Sequence, residues 1–140
     1  MNVLIDTNVV LDVLLKREPF FKHSQLVLLA AEKRHIRGHV SASAVTDIFY
    51  VAGKFLKDTN AIYSLMKRLL TRTLEVATVN RAIISVALEA GWKDFEDCIQ
   101  YAVGDSIAAD YIVTRNPNDF VEKNIPVVTP DMLLDIVFPE

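Results

Sequence analysis

The chain opens on Asn2-Val3-Leu4-Ile5-Asp6-Thr7-Asn8. Val3-Leu4-Ile5 is too short an apolar run for a helix and reads as a buried strand. Asp6 stands where that strand ends. Thr7 and Asn8 follow at the start of a helix that carries Val9, Val10, Val13 and Leu14 and ends near Arg17 and Pro19. Asp, Thr and Asn all cap helices well, so capping alone explains the three polar residues. The end of a strand that feeds a helix is also where α/β sheets gather their ligands. On this stretch alone both readings stay open.

Outward from it the same alternation repeats. Ser24 is placed to cap a helix carrying Leu26, Val27, Leu29 and Ala30, and residues 36–41 read as a strand. Ser43 is placed to cap a helix whose inward stripe is Val45, Ile48, Phe49, Ala52, Phe55 and Leu56. Asp58, Thr59 or Asn60 opens another through Ile62, Leu65, Met66, Leu69 and Leu70. A strand over 74–79 precedes a helix capped by Asn80 and stopped by Gly91. Asp94 starts a helix with Phe95, Cys98, Ile99, Ala102 and Val103 inward. Strands at 111–114 and 127–129 and a helix over 131–137 complete the pattern. Short apolar strands alternating with helices predict an α/β fold: three layers, α/β/α, around a mostly parallel sheet of about five strands.

The composition bounds the answer. The chain has 140 residues, 51% hydrophobic and 24% charged, which suits one folded unit over residues 1–140 with a real core. Gly and Pro are scarce, and no repeat or linker-like stretch breaks the chain. Cys98 is the only cysteine, so no intramolecular disulfide forms. Asp6 interrupts any signal-like apolar stretch of roughly 7–15 residues, and no apolar run approaches the ~18 residues of a membrane span. A cytoplasmic protein with no membrane association is expected. The net charge of −3 neither supports nor excludes RNA. Phosphate binders usually present basic surface, but a site that gathers carboxylates makes a chain look acidic. Basic clusters do occur at Lys16-Arg17, at Lys33-Arg34 with Arg37, and at Lys67-Arg68 with Arg72.

Three places carry residues that could join Asp6. Asp47 lies early in its helix and off the apolar stripe, where a solvated acid favoured by the helix dipole is the simpler reading. Asp94, Glu96 and Asp97 crowd one helix start, and Asp94 and Asp97 share a face. Capping accounts for one or two of them, less well for Asp97 beside Cys98-Ile99. Thr114-Arg115-Asn116-Pro117-Asn118-Asp119 follows a strand and is ordinary turn chemistry, yet Asn116 and Asp119 would then face the same crevice as Asp6. If these acids converge, their repulsion raises their pKa values unless a cation neutralises them. Oxygen-only ligands favour a hard cation, Mg2+ or Mn2+, and such a site suits hydrolysis of phosphodiesters without a protein nucleophile. His23, His35 and His39 lack metal-ligand spacing and read as surface or cap residues. Cys98 reads as a small buried hydrophobe.

These segments resemble the PIN-domain family, especially the VapC-like ribonuclease toxins of toxin–antitoxin pairs. The resemblance rests on Leu4-Ile5-Asp6-Thr7-Asn8-Val9, on Ser41-Ala42-Ser43-Ala44-Val45-Thr46-Asp47-Ile48, on Asp94-Phe95-Glu96-Asp97-Cys98-Ile99-Gln100 and on Ile112-Val113-Thr114-Arg115-Asn116. It implies that Asp6, Asp47 and Asp97 bind Mg2+ or Mn2+, with a fourth polar position after Thr114. It also implies RNA as substrate, a homodimer and inhibition by an antitoxin protein. Two departures stand out: the second acid, more often Glu, is Asp47, and the fourth position holds Asn116, for which Asp119 could substitute. Thr7, Asn8, Thr114 and Asp94 are secondary candidates.

Two rivals remain. A PIN-like module that binds RNA or protein with a weakened metal site fits Asn116 and the net charge. A haloacid-dehalogenase-like phosphatase also starts with an Asp at a strand end, and Gly104-Asp105-Ser106-Ile107-Ala108-Ala109-Asp110 mimics its acidic motif. Asn8 stands where that family needs a second Asp, however, and the mimic precedes a strand instead of following one.

Overall fold

The computed structural model describes residues 1–140 and gathers five strands into one sheet. They are β1 (Asn2–Ile5), β2 (Arg37–Ser41), β3 (Leu74–Ala77), β4 (Tyr111–Val113) and β5 (Val127–Val128). Every neighbouring pair runs parallel, in the order β3-β2-β1-β4-β5. The helices are α1 (Thr7–Leu14), α2 (Phe21–Glu32), α3 (Ala42–Leu56), α4 (Thr59–Arg72), α5 (Arg81–Ala90), α6 (Phe95–Ser106) and α7 (Pro130–Val137), with a 3-10 turn at Pro117–Asp119.

Alternation along β1 builds both outer layers. Val3 and Ile5 join Val9, Val27, Ile48 and Leu133 in a core beneath α1–α4 and α7. Leu4 points the other way and joins Ala87, Cys98, Val103 and Phe120 beneath α5 and α6. A strand covered on both faces has no use for alternating polar residues, which is why the opening run is continuously apolar.

The chain leaves β1 for β2 and β3 on one side, then crosses to β4 and β5 on the other. The reversal falls between β1 and β4, the position at which open parallel sheets leave a crevice beyond the strand ends. The pairing Ile5↔Val113 sets Asp6 and Thr114 side by side at that point. The Asp6 N–H still donates to the Val113 carbonyl at 3.0 Å.

Several local expectations change. α2 begins at Phe21, not at Ser24, which is fully buried within it. Ser24 shares a helical stripe with Val27, Leu28 and Ala31, so its small side chain serves packing. α3 is capped by Ser41, whose Oγ accepts from the Ala44 N–H at 3.1 Å; Ser43 bonds the Ser41 hydroxyl instead. Phe55 and Leu56 are exposed, because burial along α3 ends at Ala52. Leu65 sits at the edge of the Ile62-Met66-Leu69 stripe and is exposed too, as is Phe95 at the start of α6. His39 is not a surface residue: it is buried on β2 opposite Glu75, with Nε2 3.2 Å from Glu75 Oε2. No helix is long and apolar enough to cross a membrane.

β2 is tightly confined at Gly38. A Cβ there would lie 2.7 Å from Leu74 Cδ2, 3.1 Å from Ala31 Cβ and 3.3 Å from Ile5 Cδ1. Gly38→Val should therefore overpack the sheet and lower unfolding free energy by about 1–3 kcal/mol in urea titration. Unchanged stability would show that β2 has room to shift.

Candidate functional site

Asp6 stands buried at the β1–β4 switch point. It caps α1 from the end of β1, its Oδ1 accepting from the Thr7 N–H at 2.8 Å. The same oxygen accepts from the Gln100 amide at 3.0 Å, and Oδ2 accepts from the Thr114 hydroxyl at 2.8 Å. Capping and site-building are thus one arrangement, and the two readings of Asp6 are compatible. Burial still pushes its carboxyl above the usual carboxylate range, against the pull of those three donors, and the charge of Asp94 adds to the rise.

Thr114 ties the crevice together. Its hydroxyl also accepts from the Asn8 amide at 3.4 Å and from the Asn116 N–H at 3.3 Å. Asn8 Oδ1 in turn accepts from the Arg115 N–H at 3.4 Å. Thr7, Asn8 and Asn116 therefore shape the site through backbone and amide contacts around Asp6.

The N-terminus of α6 supplies the other acids. Asp94 caps it, Oδ1 accepting from the Asp97 N–H at 3.0 Å. Burial raises the Asp97 carboxyl to about 7, and the charges of Asp6, Asp94 and Asp119 push the same way. Glu96 is raised to about 7 by partial burial, then by a hydrogen bond with Asp47 and by the charges of Asp47, Asp6 and Asp94. Asp47 reaches this group from α3, and Asp119 from the 3-10 turn after β4. Every acid named from the sequence thus acts electrostatically on the same cluster, although Asp47, Asp94 and Asp119 are more open to solvent than Asp6.

Three residues were missed as site members. From the sequence Glu96 is only part of an acidic helix start, since nothing local shows that it meets Asp47 from another helix. Gln100 lies four residues beyond Glu96, and only the structure shows its amide enclosed, where a buried Gln needs a partner, here Asp6. Asp12, fully buried within Val9-Val10-Leu11-Asp12, stands 3.1 Å from Arg115 Nε and 3.9 Å from Arg17. Arg115 also lies over the Phe20 ring at 4.3 Å. Together these contacts hold the turn that carries Thr114 and Asn116 against α1.

The phosphatase-like stretch lies elsewhere. Asp110 Oδ2 accepts from the Asn2 N–H at 2.7 Å, at the opposite end of β1 from Asp6. Two of the basic clusters also converge away from the acids. Arg34, Arg37 and Arg72 line a cavity of about 580 Å3 that also includes Met1 and Leu74, beside the amino ends of β1 and β3.

The cluster offers only oxygen donors, and the raised carboxyls of Asp6, Glu96 and Asp97 mark negative charge without a neutralising partner. That chemistry fits a hard divalent cation. No three of the protein's acid, imidazole or thiol side chains stand together at metal-holding separations, so the fit rests on donor type and charge.

The raised acids have a consequence for stability. Asp97 binds its proton more tightly folded than unfolded, so its contribution is present below its ordinary value of 3.8 and is lost as pH rises through about 7. The metal-free protein should thus melt at higher temperature at pH 5 than at pH 8. Saturating Mg2+ should narrow that difference by binding the ionised, folded form. A Tm difference untouched by Mg2+ or Mn2+ would contradict the assignment.

A model of the PIN domain family matches residues 2–118. Solved structures share the fold, among them the following three. A chain of a toxin–antitoxin complex from Klebsiella pneumoniae superposes with TM-score 0.66 at 22% identity, covering 91% of this chain and 97% of that one. VapC20 of Mycobacterium tuberculosis, a toxin that cleaves the sarcin-ricin loop, gives 0.62 at 12% identity over 79% and 86%. A chain of VapBC2 from Rickettsia felis, bound to a promoter DNA fragment, gives 0.66 at 17% identity over 92% and 97%. No curated protein matches the sequence.

Proposed function

This chain belongs to the PIN domain family, and from that premise we propose that it is a metal-dependent endoribonuclease, the toxin of a toxin–antitoxin pair. The observation that carries the reading is the acidic neighbourhood of the β1–β4 switch point, where burial and the charges of Asp6, Asp94, Asp119 and Asp47 raise Asp97 and Glu96 to about 7. RNA cleavage by VapC20 and the antitoxin-bound state of other relatives support the choice of substrate and partner. The reading includes a cytoplasmic location, action as a homodimer, and residues 1–140 working as one unit.

Asp6, Asp47 and Asp97 would hold Mg2+ or Mn2+, with Glu96 beside Asp47 and Asp119 beside Asp97. Bound there, the cation would orient and acidify a water and neutralise charge developing on the phosphodiester. The protein's own share is positional. Thr114, Gln100 and the Thr7 N–H fix both oxygens of Asp6, and the Asp12–Arg115 pair keeps the Thr114 turn in place. Asp94, Glu96 and Asp119 are exposed, so the cluster is reached from solvent on the side of α6 and the turn after β4.

Purified protein with Mg2+ or Mn2+ should cleave RNA. Asp6→Asn and Asp97→Asn should each lower the rate by more than about 100-fold, beyond the cost of losing an outer partner of a metal ligand. Thr114→Val, which removes only such a partner, should cost roughly 10–100-fold. Cleavage that survives both Asn substitutions would overturn the carboxylate mechanism. RNA binding without cleavage in either metal would favour a PIN-like binding module.

A further inference from the structure

A second cavity, about 540 Å3, opens beside the acid cluster and is lined by Trp92, Lys93, Asp94, Phe95, Asp119 and Val121. Its size falls within the roughly 300–1,000 Å3 of sites that take small ligands or parts of larger ones. Asp94 and Asp119 belong to both places, since each adds to the charge felt by Asp97. Asp94, on the cavity wall, also accepts from the Asp97 N–H at 3.0 Å, so the cavity adjoins the site. Its remaining wall is different in kind: Phe95 is 44% exposed and Val121 72% exposed, with Trp92 half-buried between them and the core.

That wall is preformed. Gly91, in the left-handed conformation, ends α5 and turns the chain into Trp92-Lys93, and Asp94 then caps α6, so Phe95 stands on the first fixed residue of a helix. Trp92 packs edge-on against buried Phe120 at 6.1 Å and against Tyr101 at 5.7 Å. Phe120 directly follows the 3-10 turn, so one aromatic contact spans both sides of the cavity.

Flat apolar rings next to carboxylates fix the chemistry of what enters. Asp94 and Asp119 repel a phosphate at the cavity, whereas an uncharged planar ring can lie on Phe95 and Trp92. Lys93, exposed on the rim, suits the sugar-phosphate chain that carries such a ring. We infer that this cavity is a nucleobase subsite, in which an unpaired base of the RNA stacks on Phe95 and Trp92 next to the bond presented to the acids. A paired duplex keeps its base faces covered, so the subsite selects an unpaired segment. The inference rests on the nuclease reading for the identity of the strand, not for the stacking.

Trp92 is the only tryptophan, so its fluorescence reports the cavity directly. Stopped-flow mixing of the full chain in Mg2+ with a short single-stranded oligoribonucleotide reads binding before turnover. The unpaired RNA should quench Trp92, while an abasic ribose-phosphate chain of equal length and a duplex of the same sequence should quench little. Phe95→Ala should weaken binding by about 5- to 100-fold, the range typical of one lost base stack, and raise KM more than it lowers kcat. Phe95→Tyr should restore both. Equal quenching by the abasic chain, or unchanged affinity in Phe95→Ala, would overturn the subsite. RNA cleavage with unaltered KM in Phe95→Ala would leave the nuclease reading standing and the subsite refuted. Base-dependent quenching without cleavage in Mg2+ or Mn2+ would do the reverse.

Discussion

The Asp6 carboxylate is withdrawn from water at the end of the central strand, and three donors from three parts of the chain only partly offset that cost. The Thr7 N–H comes from the following helix, the Thr114 hydroxyl from the neighbouring strand, and the Gln100 amide from the helix on the far face of the sheet. A buried carboxylate with those partners needs β1, β4, α1 and α6 in register at once. The parallel sheet provides the register: Ile5 pairs with Val113, and the next residue on each strand meets across the crevice. Fold and site are for this reason hard to separate at Asp6, because its cap, ladder and crevice contacts are made by one residue.

Around it the chain concentrates like charge where a solvated surface would disperse it. Asp94 caps α6, which accounts for one acid at that helix start, yet Glu96 and Asp97 remain, each with its proton held well above the ordinary carboxylate value. Burial of these carboxyls, with their mutual repulsion, works against folding at neutral pH unless a cation offsets it. Its persistence at the switch point of the sheet is the physical argument for a metal. The Asp12–Arg115 pair shows the opposite treatment of a buried acid. There a cation from the protein itself stands 3.1 Å away, and an aromatic ring covers its other face.

How far the sequence could be read followed the range of the interactions. Val3-Leu4-Ile5, Asn80 with Gly91, and Asp94 are governed by neighbours in the chain, and the structure places them as strand, caps and helix start. The position of Asp6 was legible because a parallel sheet fixes where strand ends gather, whereas Asp97 lies at the start of α6, which follows another helix. Gln100 and Glu96 were not legible, since their partners lie on β1 and α3, and no local pattern records a contact between helices and strands far apart in sequence. His39 failed for the same reason: only the β2–β3 register reveals Glu75 opposite it. Phe55, Leu65 and Phe95 failed differently. Helical periodicity names a face, but not how far along the helix that face stays covered.

The proposed nuclease depends on the carboxylates around Asp6 holding a divalent cation. Electron paramagnetic resonance of Mn2+ titrated with the folded protein measures this directly, since bound Mn2+ loses the sharp signal of the free ion. Wild type should abolish that signal, excess Mg2+ should restore it, and folded Asp6→Asn should bind Mn2+ more than about tenfold more weakly. A free-ion signal unchanged by folded wild-type protein, or an Asp6→Asn variant that titrates like wild type, would contradict cation binding at Asp6.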